Sequence, residues 1–262
     1  MVSIGKTKTL FNQEVSMRHL AAIALSALLL LLPAAGQAAN EGLFKTTQSA
    51  AWAVYVRNVG GMQAICSAQA YESGAKTTTL LTAGHCFIGS DLRKTDFLVT
   101  QDHKNFYKAD LKRSGMRTRA MSKPSSTDLD DYEGNDWAVV VADVGGQRVV
   151  PFGDSATLAI GEDLLIVGLP FGMDFLAVQG IVGSTNLSLS KLVWNHYFGA
   201  NIFIAGGNSG SAVISVKQKA IVGIAVAGPG QQSSLAIFTP IAVVKADLAK
   251  PEPPAKNGPG KP

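Results

Sequence analysis

Leu80-Leu81-Thr82-Ala83-Gly84-His85-Cys86 reads as an apolar strand that stops at a glycine and delivers a histidine beside a cysteine. Working outward, the chain breaks into short runs rich in β-branched or apolar residues, each bounded by turn formers. Residues 51–56, 63–68, 77–82, 97–100 and 137–142 make a first set. Residues 163–169, 176–182, 192–197, 211–216, 220–227 and 235–239 make a second. No long helical period alternates with these strands, which argues against a doubly wound α/β fold. Two groups of about six strands predict an all-β chain of two six-stranded antiparallel barrels. The expected bounds are about 50–148 for the first and about 149–240 for the second. Residues 240–250 read as a short C-terminal helix, with Ile241, Val244 and Leu248 on one face. Between the strands, residues 113–135 carry a proline, Ser-Thr clusters and an acidic run, and read as a long surface loop.

The ends read differently. Residues 20–32 are almost wholly apolar, too short for a membrane span, which needs about 20 residues. Small residues follow at 34–39, so residues 1–39 read as an export signal, with Met17 as an alternative initiator. The competing reading is an uncleaved anchor. Cleavage would leave no stable membrane anchor and a secreted or periplasmic chain whose domain spans 40–250. Residues 40–50 read as a polar lead-in, and 251–262 as a flexible Pro/Gly/Lys tail.

The net charge is +4 over 262 residues, and the cations form no dense stripe. Lys104, Lys108, Lys112, Arg113, Arg117 and Arg119 are diffuse and read as a solvated loop and strand edge. No nucleic-acid partner is expected. The two cysteines, Cys66 and Cys86, form either a disulfide, which export permits, or two buried thiols. Their spacing lacks clustered metal ligands, so no metal and no cofactor is expected.

Chemistry concentrates at three places. A serine hydroxyl holds its proton too tightly to attack at neutral pH without an imidazole base and an orienting carboxylate. Ser209 sits in Gly207-Asn208-Ser209-Gly210, where the glycines permit a sharp turn that exposes a hydroxyl. The same turn can aim the N–H groups of Gly207 and Ser209 at one point, as an oxyanion requires. A plain glycine-rich turn is the bland alternative. His85 offers the base. Asp136, at the head of the apolar run Trp137-Ala138-Val139-Val140-Val141, offers the carboxylate. Asp128, Asp130, Asp131 and Glu133 compete, but they lie in the polar loop. His103 and His196 stand outside these segments and read as surface or local structural residues.

Leu81-Thr82-Ala83-Gly84-His85-Cys86, the aspartate before an apolar strand and the Gly-Asn-Ser-Gly turn resemble the motifs of trypsin-like serine proteases. Pro151-Phe152-Gly153-Asp154-Ser155, Val167-Gly168-Leu169-Pro170-Phe171-Gly172 and Gly180-Ile181-Val182 resemble the Htr/Deg branch, here without a following PDZ-like domain. The resemblance runs from about residue 50 to about 245. It implies a chymotrypsin-like fold, a Cys66–Cys86 disulfide, and an exported endopeptidase with His85, Asp136 and Ser209 as its triad. Protein or peptide substrates follow. It further implies Phe203 at the base of the primary pocket and Val226-Ala227-Gly228 along its wall, hence small or medium apolar side chains at the cleaved position. Asn208 replaces the family's usual aspartate, and Ser211 a glycine. A neutral Asn208 cannot pair with a freshly cut N-terminal ammonium, so activation by such a cut is not expected. The alternatives are a catalytically weak or inactive protease-fold binding module and an esterase. The chain order and the serine at 211 do not suit an α/β-hydrolase elbow.

Overall fold

A computed structural model describes residues 41–58, 61–88, 95–118, 132–187, 197–230 and 232–251. The chain divides into Met1–Leu43 and Phe44–Pro262. Of the first unit only residues 41–43 are described, and they are helical. The second opens with helical residues 44–49, within the stretch read as a polar lead-in.

Strands dominate the rest of the second unit. β1 (Ala51–Asn58), β2 (Gly61–Ser73), β3 (Thr78–Thr82), β4 (Asp96–Thr100), β5 (Tyr107–Thr118) and β6 (Tyr132–Ala142) close into one antiparallel barrel in the order β1-β2-β3-β6-β5-β4. β7 (Asp163–Gly168), β8 (Leu176–Leu187), β9 (Tyr197–Ala205), β10 (Ala212–Ser215), β11 (Ala220–Ala227) and β12 (Gln232–Pro240) close a second, in the order β10-β11-β12-β9-β8-β7. Full closure leaves neither sheet with an open edge. The second core follows from strand alternation. Leu164 and Ile166 of β7, and Phe198, Ala200, Ile202 and Ile204 of β9, all point inward, and Phe198 stacks on Phe238 with ring centroids 4.9 Å apart.

Two strands were hidden in the sequence. β5 occupies ground read as loop, because Lys108, Asp110 and Lys112 are charged and outward-facing while only Ala109 between them is fully buried. Its members pair with β4 and β6 despite two register shifts. β9 begins at Tyr197 and runs to Ala205, so the expected strand at 192–197 overlaps it by one residue and otherwise lies outside the described residues. The acidic residues Asp128, Asp130 and Asp131 and His196 also lie outside them.

The C-terminal helix, Ile241–Leu248, buries Ile241 and Val244 and leaves Leu248 partly exposed. It is tied back to the first barrel. Asp247 accepts hydrogen bonds from Asn135 Nδ2 (2.7 Å) and Trp137 Nε1 (3.0 Å), and Arg113 donates to the carbonyls of Asp247, Leu248 and Lys250. This brace starts one residue from Asp136.

Candidate active site

Register alone brings histidine and aspartate together. β3 pairs with β6 so that Thr82 faces Ala138. Continuing that pairing by two residues sets the turn after β3 opposite Asp136. The chain leaves β3 into a 3-10 turn, Gly84–Phe87. Glycine is needed at its start, since a Cβ on Gly84 would come within 2.9 Å of Met116 Cγ and 3.0 Å of the Trp137 carbonyl. The result is a two-point grip. Asp136 Oδ2 accepts from His85 Nδ1 at 2.6 Å, and Oδ1 accepts the His85 backbone N–H at 2.9 Å. Asp136 is 1 % exposed and His85 24 %. From the second barrel, Thr239 Oγ1 donates to the Asp136 carbonyl at 2.9 Å.

This environment acts on His85 in two directions. Burial disfavours the imidazolium, while the Asp136 charge and its hydrogen bond favour it. The net effect raises the imidazole above its ordinary 6.5. Such a histidine carries its proton on Nδ1, held by the carboxylate, and turns Nε2 outward as an acceptor.

The serine lies in the turn between β9 and β10. Two glycines there adopt backbone angles that side chains resist, Gly207 at φ +95° and Gly210 at φ +83°. A Cβ on Gly210 would overlap the Ser67 carbonyl and Thr82 Oγ1, so this turn lies directly against the end of β3 that carries His85. The Ser209 carbonyl accepts the Ser67 N–H at 2.8 Å. Ser67 follows Cys66, and Cys66 is disulfide-bonded to Cys86, the residue after His85. Among the described residues no hydrogen bond joins His85 Nε2 to Ser209 Oγ; backbone and disulfide link the two segments.

The turn's amides divide into two kinds. Those of Asn208, Gly210 and Ser211 donate to the carbonyls of Ala205, Ala225 and Asn208. Those of Gly207 and Ser209 have no acceptor among the described residues. The Gly206 carbonyl is held by the Phe171 N–H at 2.5 Å. Because a trans peptide opposes its C=O and N–H, this contact turns the Gly207 N–H away from Phe171.

Beside Ser209 lies a cavity of about 210 Å³ lined by Ile204, Ala205, Val226, Ala227 and Gly228 among others, with no charged side chain. Phe203, the residue expected at its base, is not in the lining. It is 37 % exposed on the outer face of β9, and its neighbour Ile204 points in instead. Strand alternation explains the exchange: Ile204 continues the inward row of Phe198, Ala200 and Ile202. Ile204 Cδ1 also crosses toward Gly228, where an added Cβ would sit 2.9 Å from it.

Ligand atoms of Cys66, His85 and Cys86 lie within 4.8 Å of one another, but both sulfurs are used in the disulfide. His103 sits apart in the first barrel, where its Nδ1 hydrogen-bonds Tyr55 at 2.9 Å.

Two closed barrels with a histidine–aspartate pair and a glycine-flanked serine at their seam define a chymotrypsin-like architecture. Comparison with known proteins agrees. The chain belongs to the trypsin-like peptidase domain family, whose pattern matches residues 66–224. It is 33% identical over 89 residues to a probable periplasmic serine endoprotease DegP-like protein of Pseudomonas putida, covering 34% of this chain and 18% of the relative. It is 30% identical over 112 residues to the similarly named protein of Pseudomonas savastanoi pv. phaseolicola, covering 43% and 22%. The matched segments thus span about a fifth of those relatives' length. Among solved structures, the HtrA-type protease AlgW with a tripeptide superposes at a TM-score of 0.60 with 18% identity, covering 79% of this chain and 62% of that one. An inactive serine-to-alanine form of Rv3671c from M. tuberculosis superposes at 0.57 with 14% identity, covering 80% and 91%. At these identities the superpositions speak for the fold.

Proposed function

We propose that this protein is an exported serine endopeptidase that cleaves peptide bonds through an acyl-enzyme. The observation that carries this reading is the His85–Asp136 pair, 2.6 Å apart, at the seam against which the Ser209 turn packs. Ser209 is the nucleophile. His85 Nε2 takes its proton as Oγ attacks the carbonyl carbon, and Asp136 holds the tautomer and stabilises the imidazolium. The unoccupied amides of Gly207 and Ser209 receive the negative oxygen of the tetrahedral intermediate. His85 then gives its proton to the leaving amine, and water hydrolyses the ester by the same route in reverse. Hydrogen bonds between nucleophile and base are often long without substrate and tighten when it binds. That no hydrogen bond joins Ser209 Oγ to His85 Nε2 among the described residues fits that behaviour.

The cavity beside Ser209 receives the side chain at the cleaved position. Its uncharged lining offers no counter-charge for lysine or arginine and no histidine or other cationic side chain for glutamate. Small aliphatic side chains fill it best, because Ile204 reaches across toward Gly228. Val226, Ala227 and Gly228 form its wall and an edge that pairs with substrate backbone. The disulfide, the leader-like residues 20–32 and the periplasmic relatives together support a site of action outside the cytoplasm.

The test is digestion of a mixed peptide library by wild type and by Ser209→Ala. Cleavage after small aliphatic residues, absent in the variant, is expected. Equal cleavage by both would transfer the activity elsewhere. No cleavage by either would favour the binding-module alternative.

A further inference from the structure

We infer that Ser67, a residue of the first barrel, is a positioning residue for the oxyanion donors of the second. The inference rests on the peptidase reading above and adds a group to it. Ser67 is fully buried in β2. Its hydroxyl has one proton to give, and it gives that to the Gly207 carbonyl at 2.8 Å. It also accepts the Leu169 N–H at 3.0 Å. Leu169 opens the short segment whose Phe171 N–H grips the Gly206 carbonyl. A closed circuit results, running from Ser67 Oγ to Leu169, through Phe171 to Gly206, and back through Gly207 to Ser67.

The circuit matters because it fixes both peptide planes flanking the Gly207 Cα. Phe171 holds the plane before it and Ser67 the plane after it. Glycine at φ +95° has a broad range of alternatives, and nothing in its own side chain selects one. With both planes pinned, the Gly207 N–H has a single direction. Ser67 also acts through its main chain, since its N–H holds the Ser209 carbonyl at 2.8 Å, just beyond the second donor. One first-barrel residue thus bonds the carbonyls of both residues whose amides face the oxyanion. Electrostatic stabilisation of a transition state depends on donors that need no reorganisation during reaction. Removing the hydroxyl would leave the Gly207 carbonyl without its partner and that peptide held only by the Asn208 N–H bond to the Ala205 carbonyl at 3.0 Å.

The experiment compares wild type, Ser67→Ala and Ser67→Thr, the last retaining a hydroxyl. Activity is measured as kcat and KM on a peptide amide ending in a small aliphatic residue, with kcat normalised to sites titrated by a fluorophosphonate. The inhibition constant of a peptidyl trifluoromethyl ketone is measured alongside, because its hemiketal oxyanion occupies the proposed donors. Ser67→Ala is expected to lose about 10–100-fold in kcat, less than the roughly 10²–10³ lost when a donor is deleted outright. The inhibition constant should rise by a similar factor, KM should move less than about threefold, and Ser67→Thr should recover most of the loss. Unchanged kcat in folded Ser67→Ala overturns the inference. So does a kcat loss with an unchanged inhibition constant, or a variant that does not fold, which would assign Ser67 to folding alone. A wild-type chain that is never labelled at Ser209 would instead overturn the peptidase reading beneath it.

Discussion

Replacing Asp136 by asparagine isolates what the buried carboxylate does. The two oxygens have separate tasks, one facing His85 Nδ1 at 2.6 Å and the other the His85 backbone N–H at 2.9 Å. Asparagine can serve only one of them with oxygen. If its carbonyl keeps the backbone N–H, its NH₂ faces Nδ1, which must then become an acceptor. The ring proton moves to Nε2, the atom that has to receive the proton of Ser209. The wrong tautomer costs about 10⁴ in kcat in enzymes of this mechanism, or about 5 kcal/mol of barrier. The pH profile carries a second signature. In wild type, burial lowers the imidazole pKa, but the charge and hydrogen bond of Asp136 outweigh it and leave the group above 6.5. The acid limb of kcat/KM should therefore lie above pH 6.5. Without the charge, burial acts unopposed and the limb should move below pH 6.5. Both effects are read from kcat/KM between pH 5 and about 9. A loss under about tenfold, or an acid limb that does not move downward, would refute this assignment of Asp136.

Three further outcomes are expected. Ile204→Ala opens the cavity beyond Gly228, so preference should shift from alanine or valine toward leucine or phenylalanine; each added methylene is worth about 1–3 kcal/mol of discrimination, read by library profiling. Asp247→Ala strips the acceptor from Asn135 and Trp137 and should cost about 1–3 kcal/mol in denaturant unfolding. Burial of Asp247 works against its ionisation, yet hydrogen bonds from Lys250, Asn135 and Trp137 lower its pKa below 3.8. Its contribution is therefore present above about pH 4 and lost as pH falls through the depressed value, so the difference between wild type and variant should shrink in acid. Reduction of the Cys66–Cys86 bond, which closes a loop of sequence separation 20, should cost on the order of 3 kcal/mol. That corresponds to a melting temperature lower by about 6–12 °C.

The histidine segment was the most legible part of the sequence because its neighbours leave little freedom. Gly84 is forced by its approach to Met116 and Trp137, and β3 is a short, mostly buried strand of threonine and leucine. Asp136 was legible because a carboxylate stands at the head of an apolar strand. β5 was not, since its outward Lys108, Asp110 and Lys112 outweigh its inward residues in any local count. The interior it borders is supplied mostly by other strands. Phe203 was misplaced by one residue, and on a strand one residue exchanges the faces. That error needed only the row Phe198, Ala200, Ile202 and Ile204 to correct it, but a buried Gly199 and an apolar Phe203 on the outer face obscure the alternation. Ser67 could not have been found this way. Its partners Gly207 and Leu169 lie 140 and 102 residues away, and nothing about a serine after a cysteine announces them.

The central claim is that Ser209 is a nucleophile activated by His85. Incubation of the full chain with a fluorophosphonate, followed by intact-mass and peptide mapping, tests it most directly. One probe adduct per chain, on Ser209, is expected, with no adduct in Ser209→Ala and strongly slowed labelling in His85→Ala. A chain that stays unlabelled, or that carries the adduct on another residue at the same rate in all three proteins, would contradict it.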